Sequence, residues 1–263
     1  MSHIIYFIII CTDGGSGGME FYMEKVKLGI IGLGRLGKKH AEDIAFKIPN
    51  AELKAVCSII KEEVDEALSN WNIEYGYTDY YEMLKNKNLD GIVIVSSSTE
   101  HSKQAVTALD AGFHVFCEKP LGLSVNECRN VEKSVERNSE KVFSIGLMNR
   151  YDRAYMDAKK KIDDGLIGKP ILMRCYRLDP KKYVQSSIAF SNKSGGLFFD
   201  VAIHDIDIVR WFLKSDPIQI YSMGGCFLHK EFAQYNDIDN GTISMQFENG
   251  SMAFFYVGRT SAH

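Results

Sequence analysis

An aspartate and a histidine stand four residues apart in the segment GGLFFDVAIHDID, and another acid follows them. These residues are Asp200, His204 and Asp207. Residues four apart share one face of a helix, and an imidazole beside a carboxylate is an arrangement that removes a proton from a hydroxyl group. Each residue alone also fits an ordinary helix surface, so the interpretation depends on its companions in the chain.

A lysine follows a short apolar run, HVFC, in the tripeptide Glu118-Lys119-Pro120. In open α/β sheets, ligands bind beyond the carboxyl ends of the strands. Lys119 is therefore placed to reach the nicotinamide end of a cofactor and an oxygen atom of a substrate. A solvated lysine in a loop is the alternative when Lys119 is considered alone.

A glycine pattern, G-x-G-x-x-G, is formed by Gly32, Gly34 and Gly37, with Arg35 and Leu36 between the last two glycines. The first glycine allows a tight turn, the second lets a pyrophosphate approach the backbone, and the third lets helix and strand pack closely. The N–H groups of the following helix face the phosphates. The pattern lies between a buried strand and a helix, and this context predicts a dinucleotide site rather than a glycine-rich turn of another α/β fold.

The residue that ends the second strand bears on the choice of cofactor. An acid at that position binds the ribose hydroxyls and disfavours a 2′-phosphate, but this chain has Ser58, 21 residues after Gly37. A serine hydrogen-bonds either cofactor. Lys61 favours a phosphate, whereas Glu62 and Glu63 oppose one, so the sequence predicts NAD or NADP and leaves the choice open.

Strands and helices alternate in the first half of the chain, which indicates βαβ units and a doubly wound parallel sheet. The apolar runs predict strands over 26–32, 51–58, 91–95, 114–117 and 142–146. Helical spacing is found over 36–46, 62–70, 77–84, 101–111 and 124–138. The last of these helices begins with Ser124 and Glu127 in the spacing of a capping box. The fold class is therefore α/β, with a Rossmann domain over residues 24–145.

The second half, residues 146–263, predicts an α+β domain on a mainly antiparallel sheet. One helix is expected over 152–164, and Gly195-Gly196 is expected to open another that continues to 213. Strands are predicted over 170–178, 218–223, 242–248 and 252–257. Asn249-Gly250 joins the last two strands as a hairpin.

Composition excludes several classes of protein. The 263 residues carry a net charge of −3, so no basic excess points to nucleic acid or to an acidic membrane surface. Six cysteines are scattered without a C-x-x-C pair, so we predict no metal site. Cys57, Cys117 and Cys175 lie in strand-like runs, where cysteine acts as a small apolar residue. Free thiols fit a reducing cytoplasm.

Residues 1–23 are expected to be a leader outside the fold. Their apolar run, HIIYFIIIC, is too short to span a bilayer, and it lacks the basic start of a signal peptide. Met19 and Met23 are alternative starts just before the first strand.

Together these segments resemble the Gfo/Idh/MocA oxidoreductase family, and in particular its inositol 2-dehydrogenase-like members. The matching segments occur in the family's order as GIIGLGRLGKKHAE, AELKAVCS, YTDYYEML, GIVIVSSSTEH, HVFCEKPLG, GLMNRYD and GGLFFDVAIHDIDIVRWFL. The resemblance implies a Rossmann domain followed by an α+β domain whose open sheet often forms the oligomer interface. It therefore implies a homo-oligomer, a dimer or a tetramer, if that domain is complete.

The resemblance also implies an activity and the residues that perform it. An NAD(P)-dependent dehydrogenase would pass a hydride between the hydroxyl-bearing carbon of a cyclic polyol or sugar and the nicotinamide ring. Lys119 would hydrogen-bond the reacting oxygen, His204 would be the general acid/base, and Asp200 would orient His204. Further cofactor-lining positions are Ser96, Ser98, His101 and Glu118, and the stretch leading into the substrate pocket contains Asn149, Arg150 and Asp152.

The sequence departs from the family pattern in three places. Asn149 stands where inositol dehydrogenases often carry an arginine that contacts the polyol, and Ser97 replaces a frequent proline. Relatives usually continue further, so the second domain is expected to be truncated, with an unpaired sheet edge after Val257. Two alternatives therefore stay open: a truncated, non-catalytic cofactor-binding module and an NAD-dependent glycosidase.

Overall fold

The computed structural model describes residues 25–261, which belong to two compact units that divide between Gly146 and Leu147. The expected leader over residues 1–23 lies outside the described residues. Among the helices of the described chain, none has both the length and the apolar character needed to cross a membrane.

The first unit is built on a parallel sheet of six strands. Their bounds are β1 Val26–Ile31, β2 Ala51–Cys57, β3 Tyr75–Tyr77, β4 Gly91–Ile94, β5 His114–Cys117 and β6 Phe143–Ile145. The order across the sheet is β3-β2-β1-β4-β5-β6, which is the order of doubly wound dinucleotide-binding folds. The predicted fold class is confirmed, and the strand order reverses between β1 and β4.

Five helices connect these strands. They are α1 Arg35–Phe46, α2 Lys61–Trp71, α3 Tyr80–Met83, α4 His101–Asp110 and α5 Val125–Arg137. At the start of α5, the Ser124 hydroxyl accepts a hydrogen bond from the Glu127 N–H, and the Glu127 carboxylate accepts one from the N–H of Leu123. The capping residues are thus confirmed, although the glutamate reaches one residue further back than in a standard capping box.

The central strands of this sheet are buried on both faces, which explains why their sequences are apolar without alternation. Every residue of β4 is buried, and so are Val115, Phe116 and Cys117 of β5. Burial raises the pKa of the Cys57 thiol to about 12. The interpretation of Cys57 and Cys117 as small apolar core residues is therefore confirmed.

The second unit holds a mixed sheet of four strands. Their bounds are β7 Leu172–Leu178, β8 Pro217–Gly225, β9 Asn240–Phe247 and β10 Met252–Gly258. The order is β7-β10-β9-β8, with β10 parallel to β7 and antiparallel to β9, and β9 antiparallel to β8. The hairpin at Asn249-Gly250 is confirmed. Within the described residues the unpaired edges of this sheet are β7 and β8, and β10 lies between β7 and β9.

Three helices accompany this sheet: α6 Arg153–Asp163, α7 Val184–Ser194 and α8 Ile203–Leu213. The predicted helix after Gly195-Gly196 is confirmed, because helical backbone begins at Leu197 and continues to Leu213. Gly195 ends α7 in the left-handed conformation, with φ of 79°, and a π-helical turn at Phe198–Ala202 then leads into α8. Helix α7 escaped prediction because its serine-rich sequence, VQSSIAFSNKS, has no clear apolar stripe.

The two faces of the second sheet differ in their surroundings. One face packs Ile243, Met245, Phe255 and Val257 into a core with α8 and the π-helical turn. Burial of such side chains contributes about 1.5–3 kcal/mol each. The other face leaves apolar side chains exposed on neighbouring strands, namely Tyr176, Tyr221, Met223, Met252, Phe254 and Tyr256.

Candidate active site

The glycine loop between β1 and α1 has no room for side chains at two of its three glycines. Gly32 has φ of +98°, and a Cβ there would lie 2.6 Å from the carbonyl oxygen of Val95. A Cβ on Gly37 would lie 1.9 Å from the carbonyl oxygen of Gly32. Only glycine allows the turn and the close packing of α1 against the end of β1.

The position of the middle glycine, by contrast, has room for a side chain. A Cβ on Gly34 would meet no atom within 4 Å, and Gly34 is the N-cap of α1 without a side-chain cap. The first N–H groups of the helix, from Arg35 and Leu36 onward, thus border open space at the positive end of the helix dipole. This arrangement fits the pyrophosphate of a dinucleotide, and these are the residues that would hold it.

The loop after β4 is held from inside by a histidine. The Nδ1 atom of His101 lies 2.8 Å from the carbonyl oxygen of Pro120, and its Nε2 atom lies 3.1 Å from the carbonyl oxygen of Ser96. Ser96 also donates its hydroxyl proton to Gln104, and Ser98 is buried. His101 therefore joins the loops that follow β4 and β5, the two loops at the carboxyl edge beside the glycine turn.

The acid before Lys119 points into the protein. The Glu118 carboxylate contacts the Nε2 atom of His40 at 2.9 Å, both side chains are buried, and His40 lies on α1. The backbone N–H of Lys119 donates to the same carboxylate at 3.2 Å. Because a Cβ on Gly146 would lie 2.8 Å from Glu118, that glycine makes room for the carboxylate. Glu118 and His40 thus connect the helix of the glycine loop to the strand end that carries Lys119.

Ser58 follows the last residue of β2 and is buried. Its backbone N–H donates to the carbonyl oxygen of Tyr77, which connects the ends of β2 and β3. Together, the strand ends place Gly32, Ser58, Ser96 and Lys119 at one carboxyl edge of the first sheet, as the sequence predicts for residues that follow parallel strands.

In the second unit, Asp200 lies in the π-helical turn and not in a regular α-helix. Its carboxylate accepts a hydrogen bond of 2.7 Å from Arg259, whose side chain is only 1% exposed. The same guanidinium also reaches Asp237 at 3.4 Å and Asp179 at 3.8 Å. A cation removed from water in this way needs such carboxylates to remain charged, so Arg259 fixes the position of Asp200.

Sequence reasoning missed Arg259 and its partner Asp237. Arg259 directly follows β10, and Asp237 precedes β9 in a turn. No spacing rule connects residues 59 positions apart, as Asp200 and Arg259 are. The one available indication was a lone arginine after the apolar run MAFFYVG.

His204 is buried near the start of α8, and the neighbouring acids of this helix form ion pairs. Asp207 accepts two hydrogen bonds from Arg150, at 2.6 and 2.8 Å, and Asp205 is paired in the same way with Arg177. Arg150, expected among the substrate residues, thus has its guanidinium bound to Asp207. This hydrogen bonding raises the pKa of Arg150.

Two further residues of the expected substrate stretch have different environments. Asp152 caps α6, because its carboxylate accepts hydrogen bonds from the N–H groups of Ala154 and Tyr155. Asn149 is buried, and its amide nitrogen Nδ2 has no hydrogen-bond partner among residues 25–261. Asn149 therefore keeps a donor that a ligand oxygen can use.

The strand order, the glycine loop and the open N-terminus of α1 define the first unit as a dinucleotide-binding Rossmann domain. Family models agree with this assignment along the chain. Residues 26–146 match the model described as an oxidoreductase family with an NAD-binding Rossmann fold, and residues 155–263 match the GFO/IDH/MocA C-terminal domain.

Relatives and solved structures are similar over most of the chain. The scyllo-inositol 2-dehydrogenase (NAD(+)) of Bacillus subtilis is 32% identical over 239 residues, which cover 91% of this chain and 69% of that protein. The myo-inositol 2-dehydrogenase of Thermotoga maritima is 29% identical, with 90% and 70% covered. The structure of scyllo-inositol dehydrogenase from Lactobacillus casei with bound NAD(H) and scyllo-inositol is 37% identical, with a TM-score of 0.86 and coverage of 91% and 71%.

The chain belongs to the Gfo/Idh/MocA family of oxidoreductases, and its first unit is the family's NAD-binding Rossmann domain. It is thus an NAD-binding oxidoreductase, as the resemblance of its motifs implied.

We predict that His101 makes the stability of the protein depend on pH. Burial lowers the pKa of His101. The contacts with two carbonyl oxygens and the charge of Glu118 raise this pKa, but burial has the larger effect. The unfolded chain then binds a proton more readily, so stability is full above the unfolded pKa of about 6.5 and is lost as the pH falls below it. Urea unfolding at pH 7.5 and pH 5 should show a larger loss for the wild type than for His101→Gln, which does not titrate. Parallel losses would contradict the prediction.

We predict that Arg259→Met destabilises the second unit, because it leaves the carboxylates of Asp200 and Asp237 without their buried cation. The loss should be about 3–5 kcal/mol in the free energy of unfolding, measured by urea denaturation. Arg210→Met is the matched control. Its exposed pair with Asp216 should contribute about 1 kcal/mol or less, and equal losses in the two variants would argue against the network.

Proposed function

We propose that the protein is a dehydrogenase that oxidises a hydroxyl-bearing ring carbon of a cyclic polyol of the inositol class. One observation carries the proposal: the chain combines a glycine loop that fits a dinucleotide, a lysine at the end of β5, and a buried histidine preceded by an anchored carboxylate. The named relatives in the same family act on inositols. No observation on this chain favours a glycosidase.

In this proposal, each catalytic residue acts on a stated atom. Bound NAD supplies the acceptor for the hydride that leaves the carbinol carbon. Lys119 donates a hydrogen bond to the reacting oxygen and stabilises the negative charge that develops there. His204 removes the hydroxyl proton during oxidation and returns it during reduction. Asp200, held by Arg259, supports the charge that His204 acquires.

Two residues of the second unit support a polyol as the substrate. The buried Nδ2 donor of Asn149 is suited to a hydroxyl oxygen of the substrate. Arg150 contributes indirectly, because it holds Asp207 and lies 5.8 Å from the ring of Trp211. In this proposal Asn149 therefore stands in for the arginine of inositol dehydrogenases, with a neutral donor in place of a charged one.

A homo-oligomer forms the second part of the proposal. On the exposed face of the second sheet, Tyr176 and Tyr256 are paired across β7 and β10, and Phe254 pairs with Ser244 across β10 and β9. A groove of about 600 Å³ adjoins this face and is lined in part by Met223. Extended exposed apolar surface is typical of protein–protein interfaces, and a second copy of the chain is the partner that we propose.

We also propose a cytoplasmic location, on the chemistry of the thiols. Within the described residues, five cysteines are free: Cys57, Cys117, Cys128, Cys175 and Cys226. Free thiols persist in a reducing compartment.

We predict that Lys119→Ala lowers kcat about 10²–10³-fold on the best inositol of a panel, because it removes one donor to the developing oxyanion. Turnover is followed by NADH absorbance, and NADH binding by fluorescence. Binding should be nearly unchanged. Lys133→Ala is the control, because Lys133 lies exposed on α5. Unchanged turnover in Lys119→Ala would remove that residue from the mechanism, and binding without turnover in the wild type would favour the non-catalytic module.

We predict that Phe254→Glu disrupts the oligomer, because it places a charge in the middle of the apolar face. Light scattering coupled to size exclusion should show the wild type as a dimer or tetramer and the variant as a smaller species. Phe46→Glu, at a side chain that is 67% exposed on α1, should leave the mass unchanged. A monomeric wild type would refute the oligomer without affecting the proposed chemistry.

A further inference from the structure

Ser58 follows β2 at the position where Rossmann domains commonly have an acid, and its side chain is hydrogen-bonded to a glutamate of the next helix. The Ser58 hydroxyl donates a hydrogen bond of 2.6 Å to the Oε2 atom of Glu63. The same hydroxyl oxygen accepts a hydrogen bond of 3.2 Å from the N–H of Ile60. Ser58 is buried and Glu63 is half-buried in the first turn of α2. Ser58, which is five residues before Glu63 in the chain, therefore holds the glutamate side chain against the end of β2.

Two lysines of the flanking helices, Lys61 and Lys38, are already bound to other carboxylates. Lys61 contacts both oxygens of Asp65, at 2.6 and 2.8 Å. Lys38, on α1, contacts Glu66 at 2.6 Å, and this hydrogen bond raises the pKa of Lys38. The charge of Glu63 acts on Lys38 in the same direction. Neither lysine is thus available to a phosphate without giving up a carboxylate.

The remaining charges of α2 make this edge acidic. The helix sequence KEEVDEALSNW contains four carboxylates and one lysine. Glu63 lies in the first turn of this helix, beside the positive end of the helix dipole. A phosphate on the adenosine ribose would bring about two further negative charges to an acidic surface.

We propose that Glu63, held by Ser58, is the residue that selects NAD(H) over NADP(H) in this protein. Its Oε1 atom accepts a hydrogen bond from a hydroxyl of the adenosine ribose, and its charge repels a 2′-phosphate. The acid that a Rossmann domain commonly has at the end of the second strand is here supplied from the following helix. This inference rests on the dinucleotide site of the proposed function and assigns a residue to its selectivity.

The hydrogen bonds already made by Glu63 and Ser58 support the assignment. Glu63 is already fixed through Oε2, so accepting a ribose hydroxyl through Oε1 requires little further ordering, and ordering costs affinity. Ser58 alone would serve either cofactor, because a hydroxyl donates to a phosphate as readily as it accepts from a ribose. With its proton given to Glu63 and its oxygen occupied by Ile60, Ser58 no longer presents a donor to a phosphate.

The test is a fluorescence titration of the full chain with NADH and with NADPH. The wild type should bind NADH more tightly. Glu63→Gln keeps the shape and removes the charge, so it should weaken NADH about tenfold and strengthen NADPH about tenfold. Ser58→Ala releases Glu63 and should shift the ratio in the same direction by less. Glu62→Gln is the matched control, because Glu62 is an exposed neighbour in the same turn, and its ratio should equal that of the wild type.

A second measurement locates the effect at the ribose. ADP and 2′-deoxy-ADP compete with NADH in the same assay, and they differ only in the 2′-hydroxyl. The wild type should prefer ADP about tenfold, and Glu63→Ala, which removes the acceptor, should bind the two within about twofold. A protein that had merely lost local structure would weaken both nucleotides equally, and circular dichroism would reveal the loss of fold.

The outcomes separate this inference from the proposed function. If Glu63→Gln keeps the NADH-to-NADPH ratio of Glu62→Gln, or if the wild type prefers NADPH, the role of Glu63 is refuted and the dehydrogenase proposal stands. If the ratio shifts as expected but no polyol is oxidised, only the proposed function falls. If the wild type binds neither cofactor, both are refuted.

Discussion

The first unit depends on the contact between two glycines, in which the backbone of Gly37 lies against the carbonyl oxygen of Gly32. Any side chain on Gly37 would overlap that oxygen, so helix α1 can begin this close to β1 only because the position is bare. The close approach sets where the first helical N–H groups lie relative to the sheet edge. It also brings His40, one turn further along α1, to Glu118 at the end of β5. One steric constraint therefore fixes both the anion-binding turn and the acid that adjoins Lys119.

Buried charges in this protein are positioned by partners from distant parts of the chain. Glu118 meets His40, Asp200 meets Arg259, and Asp207 meets Arg150. Such pairs add little stability relative to apolar pairs of similar size, because desolvation offsets much of the attraction, although removing one partner alone is costly. They specify geometry instead, since a buried charge tolerates few positions. Lys119 directly follows Glu118, and His204 lies between Asp200 and Asp207 in the chain. These are the residues to which we assign chemistry, so the pairs serve mainly to hold the backbone that presents those two side chains.

The apolar pattern of the strands predicts the topology of the first sheet but not that of the second. In the first sheet, continuous apolar runs indicate strands buried on both faces, and parallel connections through helices then leave little choice of topology. In the second, alternation identifies β9 and β10, but the position of β7 depends on a parallel pairing between Leu172–Leu178 and Met252–Gly258, about 80 residues apart. Alternation carries no information about such a partner, so the strand order of the second sheet could not be predicted from the sequence.

The sequence by itself determined the class of the protein. The spacing of Gly32, Gly34 and Gly37 between a strand and a helix, and Lys119 after another strand, fix a dinucleotide site at one sheet edge, because local periodicity and turn geometry are encoded within a few residues. Only the tertiary structure decided which charges meet. Arg259 finds Asp200, and His40 finds Glu118 at the end of β5. These pairings arise from where the chain returns in space, and a spacing rule along one sequence cannot express them.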